Sequence, residues 1–352
     1  MKKNCFLDER VLYIDNKIIL SYSKGYIIYR EQNTEKKQMC KVGKKTLYNV
    51  PIIERVMRNE PRCAARVDAT HIIISYNGEI INYDCRNNVC VVEHRFERGM
   101  NNPLSFLAVF NKDTNSNDVY YGEYIWNKEK GPVAIYKRDC NGWKKKYEFP
   151  PNSILHIHNI FNDKYRKGFI ILTGDSDNES GIWISDYDFE NVRPIIIGKQ
   201  QYRACVVFPT QTGIYFATDT PLEENYIYFL ELDENGVAKS LKREYQIPGP
   251  CIYGTNIEEE FYFSTSVEPD STLPKWRYRV TNKLGRGVID RSTHIIKKDK
   301  KGNYIELISI KKDILPIWLF QFGNIIFPYN DGKKAYAVLQ STKEGHGITI
   351  EL

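Results

Sequence analysis

The sequence predicts an all-β chain folded as a single β-propeller domain over residues 1–352, with seven blades favoured and six as the alternative count. Two observations carry that expectation. The 352 residues include 25 Tyr and 16 Phe, and no 12-residue window carries a clean i, i+3, i+4, i+7 apolar stripe, so strand-type residues are abundant without helical spacing. Short apolar or alternating runs also recur, separated by Asn, Asp, Gly and Lys turns.

The recurrence sets the architecture. One run type is a small residue, then β-branched or aromatic residues, then a polar turn. It is centred on Ile27, Ile80, Ile135, Ile182, Ile227, Ile295 and Ile348. These marks lie about 45–55 residues apart, except for an interval of about 68 after Ile227, and a period near 50 with four short strands per unit is the pattern of propeller blades. The long interval holds an insertion at about 268–293, rich in Pro, Lys and Arg, expected as a loop over one face. In the clearest blade, strands are expected at 154–161, 168–173, 181–185 and 192–197. The next blade repeats them at 201–208, 213–218, 226–232 and 240–247. The first strand of each blade lines the central channel. The last repeat ends at Leu352 on a third strand, so the final blade is either short or closed by residues 5–14 from the other end. Closure hides sheet edges that otherwise invite aggregation.

Composition narrows the function classes. No apolar run approaches the roughly 20 residues of a bilayer-spanning helix. Charges interrupt the N-terminal residues before any leader-type apolar stretch, which favours a cytoplasmic protein. The eight cysteines form no C-x-x-C pair, so they read as reduced core residues. The net charge of +6 comes from scattered Lys and Arg, whose short clusters read as solvated turns and not as a nucleic-acid patch. Phosphate-loop, dinucleotide, zinc-protease and serine-hydrolase motifs are absent.

The segments IYKRDCNGW (135–143) and GIWISDYD (181–188) resemble the Asp-box repeat of sialidase-like propellers, Ser-x-Asp-x-Gly-x-Thr-Trp after a strand. The first keeps Asp139, Gly142 and Trp143, with Arg138 in the Ser position; the second keeps Ser185 and an Asp. The resemblance implies a propeller and, by analogy of fold, a carbohydrate-active protein. The sialidase arginine triad in its Arg-Ile-Pro context is missing.

Propeller geometry predicts where polar residues meet. First strands start, and second strands end, at the same face. Strand starts offer Arg62, Arg66, His156, His158, Gln201, Arg203 and Gln321; strand ends offer Glu123, Asp175, Asp219 and Glu268. His156 and His158, two apart on a strand, are expected on one face about 6–7 Å apart. They suit acid/base chemistry or a divalent metal with Asp175 or His71 as third ligand. Arg203, with Arg62 and Arg66, suits an anionic substrate group. Asp175, Asp219 and Glu123 are candidate catalytic carboxylates. Gln201, Glu268 and Gln321 are candidate substrate contacts. Trp183 and Tyr202, with Tyr121, Tyr124, Trp126, Tyr253 and Trp276, offer stacking faces for a sugar ring.

The leading expectation is therefore a propeller that binds or cleaves a glycan or acidic sugar derivative, by hydrolysis or elimination. The alternative is a non-catalytic interaction scaffold, which predicts an apolar patch on the rim.

Overall fold

A computed structural model describes residues 5–42, 51–100 and 102–352. Seven small sheets, each with four antiparallel strands, stand in a ring, as the repeat predicts; the first also carries a short parallel pairing with Tyr329–Asn330. All seven sequence marks fall on third strands: Tyr26–Glu31, Glu79–Asp84, Val133–Asp139, Gly181–Asp186, Asn225–Leu232, Ser292–Lys298 and Ile348–Glu351. Third strands are recognisable because they are sandwiched within the blade and between blades. Ile27, Ile80, Ile135, Ile182, Ile227 and Ile295 are fully buried.

The fourth blade comprises His156–Asp163, Gly168–Gly174, Gly181–Asp186 and Arg193–Ile197, and the fifth Ala204–Thr210, Gly213–Thr218, Asn225–Leu232 and Ala238–Ile247. The ring closes by exchange between the chain ends. Cys5–Leu7 pairs antiparallel with Ile348–Glu351 as the outermost strand of the seventh blade. Arg10–Ile14, the other half of the segment expected to close the ring, is instead the innermost strand of the first blade.

The Asp-box likeness has a local cause. In five blades an Asp at or just after the end of the third strand accepts backbone N–H groups of the following turn. These are Asp84, Asp139, Asp186, Asp233 and Asp299. Asp carboxylates satisfy turn amides in any tight strand connection, so the pattern follows from repeated turns. Trp143, the best-kept box residue, packs between blades against Tyr121 and His94.

Three longer connections share the mouth face, where first strands begin and second strands end. One carries the helix Pro51–Met57, the second is the sixth-blade insertion with its helix Lys275–Val280, and the third runs from 312 to 323. They are tied together. Arg55 pairs with Asp313 at 2.6 Å, Arg58 donates to the Trp318 carbonyl at 2.8 Å, and Ile317 N–H donates to the Thr281 carbonyl. The insertion is also anchored to the fifth blade, where Asn225 Nδ2 donates to the Gly287 carbonyl at 2.9 Å. Among the described residues no helix is long and apolar enough to cross a membrane.

Candidate functional site

The fourth, fifth and sixth blades bring ionisable groups together at the mouth. His156 and His158 open the innermost strand of the fourth blade, and Asp175 follows its second strand. Strict alternation would hold the imidazoles 6–7 Å apart. A register shift between Ile157 and Asn159 puts a bulge at His158, and the ring centroids stand 4.9 Å apart. The equivalent bulge in the fifth blade falls between Ala204 and Val206 and turns Cys205 toward Asp219, its thiol donating to Oδ2 at 3.2 Å.

Asp175 is the hub. Its Oδ1 lies 2.9 Å from Arg203 Nη2, 3.1 Å from His158 Nε2 and 3.6 Å from His156 Nε2. Burial works to raise its pKa, but the Arg203 charge and the two imidazoles outweigh that and hold the carboxyl well below the usual range. His158 is fixed from its other side, where Nδ1 meets the Ala204 carbonyl at 2.8 Å. Gly174 makes this approach possible: a Cβ there would stand 2.4 Å from His158 Cε1.

Arg203 also reaches Asp219, at 3.8 Å. Glu268 completes the acidic side, accepting from Ser266 Oγ at 2.8 Å. Its burial, with the neighbouring Asp219 charge, pushes its pKa up to about 8 against the pull of Arg203, so it holds its proton at neutral pH. Tyr124 closes the cluster edge-on to His156, with centroids 4.6 Å apart. Glu268 itself lies just after the second strand of the sixth blade, where the insertion leaves the sheet.

Three buried polar atoms here have no partner: His156 Nε2, Arg203 Nε and Asp219 Oδ1. Unsatisfied buried polar atoms are costly, and three in one cluster call for an explanation.

Donor sets for a metal exist, His156–His158–Asp175 and His158–Cys205–Asp219. The first fits poorly, because Arg203 already occupies the Asp175 oxygen that a cation would need. In the second, burial keeps the Cys205 thiol protonated, its pKa pushed well above the ordinary value. His71, the other proposed third ligand, begins a second strand at the opposite face and pairs with Asp68 at 2.9 Å.

Several other expected site residues lie elsewhere. Arg66 ends its strand, about 13 Å along from Arg62 at the usual rise per residue, and pairs with Asp15 at 2.6 Å. Glu123 is buried, but its Oε2 accepts from Ala134 N–H at 2.7 Å and faces Arg98, so it serves the third blade's own connection. Gln201 and Tyr202 sit on the short turn Gln200–Tyr202 before the strand. Gln201 lines a peripheral hollow with Glu224 and Arg243. Its neighbour Gln200 reaches the site instead, donating to the Asp175 carbonyl at 2.8 Å. Trp183 packs against Phe149 between blades, its indole N–H donating to Thr173. Gln321 belongs to a separate network, donating to Glu60 at 2.9 Å and 3.1 Å. Arg62 does point into the ring, over the Tyr124 ring.

No protein-family model matches the chain, and no curated protein matches it in sequence. Solved structures similar in fold include an oligogalacturonate lyase from Vibrio parahaemolyticus (10% identity, TM-score 0.55, covering 99% of this chain and 90% of that one). A chain of the mitotic checkpoint complex is similar at 8% identity and TM-score 0.53, covering 97% and 88%. The AfRom2 CNH domain is similar at 9% identity and TM-score 0.52, covering 99% and 96%. At such identities the likeness establishes the seven-bladed propeller fold and nothing about chemistry; the sialidase-like assignment has no family match behind it.

Proposed function

We propose that the mouth cluster binds an acidic sugar derivative and cleaves it by β-elimination. The observation that carries this reading is that three side chains gathered around Asp175, those of His156, Arg203 and Asp219, each keep a buried polar atom that makes no hydrogen bond. Their chemistry is complementary to a sugar acid. Arg203 offers a guanidinium to the carboxylate, which acidifies the adjacent C–H. His156 Nε2, whose charged neighbour Asp175 stands at a long 3.6 Å, takes that proton. The electron pair forms the ring double bond and expels the glycosidic oxygen at the neighbouring carbon. Glu268, still protonated at neutral pH, supplies the proton to that oxygen. Hydrolysis would want a free carboxylate as nucleophile or base; Asp175 is engaged by Arg203 and the imidazoles, which leaves Asp219 Oδ1 alone for that role. The oligogalacturonate lyase among the fold neighbours accords with this chemistry without establishing it.

The test is incubation with oligogalacturonate and neutral oligosaccharide panels, read by ultraviolet absorbance of the unsaturated product. Turnover of the acidic panel alone, lost in His156→Ala and Glu268→Gln, is the expected result. Absence of an unsaturated product from every acidic glycan rejects elimination.

One observation favours a second reading, an interaction scaffold. Trp126 and Trp276 are 78% and 71% exposed on mouth-side connections, and Ile314 is 80% exposed on another. Large exposed apolar side chains on one face suit docking of a protein partner.

A further inference from the structure

Beside the acid–imidazole cluster, the channel ends in a small chamber with an unbalanced charge. It has a volume of about 70 Å³ and is lined by three arginines, Arg10, Arg58 and Arg62, together with Glu60, Asn102 and Tyr253. None of the three guanidiniums has a carboxylate partner among the described residues. Their hydrogen bonds go to neutral oxygens: Arg10 to Gln340 Oε1 at 3.1 Å, Arg58 to the Trp318 carbonyl at 2.8 Å, and Arg62 to the Asn102 carbonyl at 3.2 Å. The undescribed stretches 1–4, 43–50 and 101 contain no Asp or Glu that could supply a partner.

The single acid in the chamber wall is already committed. Glu60 accepts from Gln321 and stands 2.6 Å from His346 Nε2. The Glu60 charge acts on Arg10 and Arg58, so three positive groups share the chamber with one negative group and an excess of positive charge remains. Burial and the Arg62 charge pull the Arg58 pKa down, and Glu60 only partly offsets them. Holding like charges together away from water is costly unless an anion sits between them. Asn102, also in the chamber wall, is buried, and its side-chain oxygen lacks a partner.

We infer that the Arg10–Arg58–Arg62 chamber is an anion-binding subsite that takes the carboxylate or phosphate group of a small ligand. Size sets the class. At about 70 Å³ the chamber is a small fraction of the adjoining cavity of about 520 Å³, which suits the charged end of a ligand whose body lies outside it. The rest of the ligand extends into that cavity, the main channel, which shares Arg10, Arg62 and Tyr253 with the chamber. Planar guanidiniums suit both oxyanions through paired N–H donors. Arg62 also lies over Tyr124, whose ring touches His156, so the subsite adjoins the proposed reaction centre. It rests on the sugar-acid reading only for the identity of the ligand, and not for the binding of an anion.

Calorimetric titration of the full chain with inorganic phosphate, glucuronate, glucose and chloride at matched ionic strength tests the subsite. Phosphate and glucuronate are expected to bind, glucose and chloride not. Arg62→Gln and Arg58→Gln are each expected to weaken anion binding by about tenfold or more, the usual consequence of losing a charged hydrogen-bond donor. Lys164→Gln, in an exposed turn at the opposite end of the fourth blade, removes a positive charge elsewhere and is expected to leave phosphate affinity unchanged. Arg58→Gln gives up the tie to the Trp318 carbonyl and is expected to melt slightly lower, so Arg62→Gln is the primary comparison; far-ultraviolet circular dichroism verifies the fold of both. Equal phosphate affinity in parent and arginine variants overturns the subsite, as does an equal loss of phosphate binding in Lys164→Gln. Glucuronate binding without turnover of any acidic glycan leaves the subsite standing and removes the lyase reading.

Discussion

Arg203 Nη2 and Asp175 Oδ1 stand 2.9 Å apart across the junction of the fourth and fifth blades. The pair is both a structural tie and the electrostatic setting of the site, because the same carboxylate orients the two imidazoles. Removing one partner strands the other. Arg203→Met is expected to destabilise the fold by about 1–3 kcal/mol, below the range for a fully buried pair because the Asp175 side chain is 35% exposed. Asp175→Asn combined with Arg203→Met is expected to cost less than the two singles together. Urea midpoints of the four proteins measure the coupling.

Glu268 makes the site sensitive to alkali. Its folded pKa of about 8 lies above the ordinary carboxylate value of 4.5, so the folded state holds a proton that the unfolded state has released. Stability from this group is full below about pH 4.5 and declines as pH rises through 8. Glu268→Gln is expected to flatten that decline, read as the unfolding midpoint between pH 5 and 9 relative to the parent. In the proposed reaction the same ionisation removes the general acid, so the alkaline limb of the rate profile is expected near pH 8.

Gly174 is where backbone and imidazole meet. With a Cβ placed 2.4 Å from His158 Cε1, Gly174→Ala must push the ring off the Ala204 carbonyl and off Asp175. A loss of about 1–3 kcal/mol is expected from overpacking, together with a far larger loss of turnover than of fold. A displaced His158 imidazole resonance in the NMR spectrum, and no shift in the distant His71, is the matching observation.

The legible and illegible parts of this chain divide by physical cause. Third strands announced themselves because Ile80, Ile135 and Ile227 must be apolar on both faces. The gathering of His156, His158, Asp175, Arg203 and Asp219 was also readable, since ring symmetry alone carries strand starts and ends to one mouth. What alternation could not show was the bulge, which draws His158 toward His156 and aims Cys205 at Asp219. Gln200 was missed in favour of Gln201 because a single 3-10 turn decides which of two neighbouring glutamines faces inward. Arg10 and Arg58 were invisible as site residues: one sits on the strand that begins the ring and the other in a connection. Only the closed ring brings both to Arg62.

Ring closure rests on a small junction. Thr349 is fully buried, and its Oγ1 accepts from Val11 N–H at 3.1 Å while donating to the Glu9 carbonyl at 2.7 Å. One hydroxyl thereby stitches the last blade to the start of the first, next to the pairing of Cys5–Leu7 with Ile348–Glu351. Thr349→Val keeps the shape and removes both bonds, leaving a backbone donor and a backbone acceptor unpaired, at an expected cost of about 1–3 kcal/mol. Deleting residues 1–8 goes further, because it exposes Ile348–Glu351 as an unpaired edge. That variant is expected to unfold in a broader transition and to associate at concentrations where the parent stays dispersed, measured by denaturant titration and light scattering. A truncated chain as cooperative and as soluble as the parent would show that the ring holds without its terminal strand.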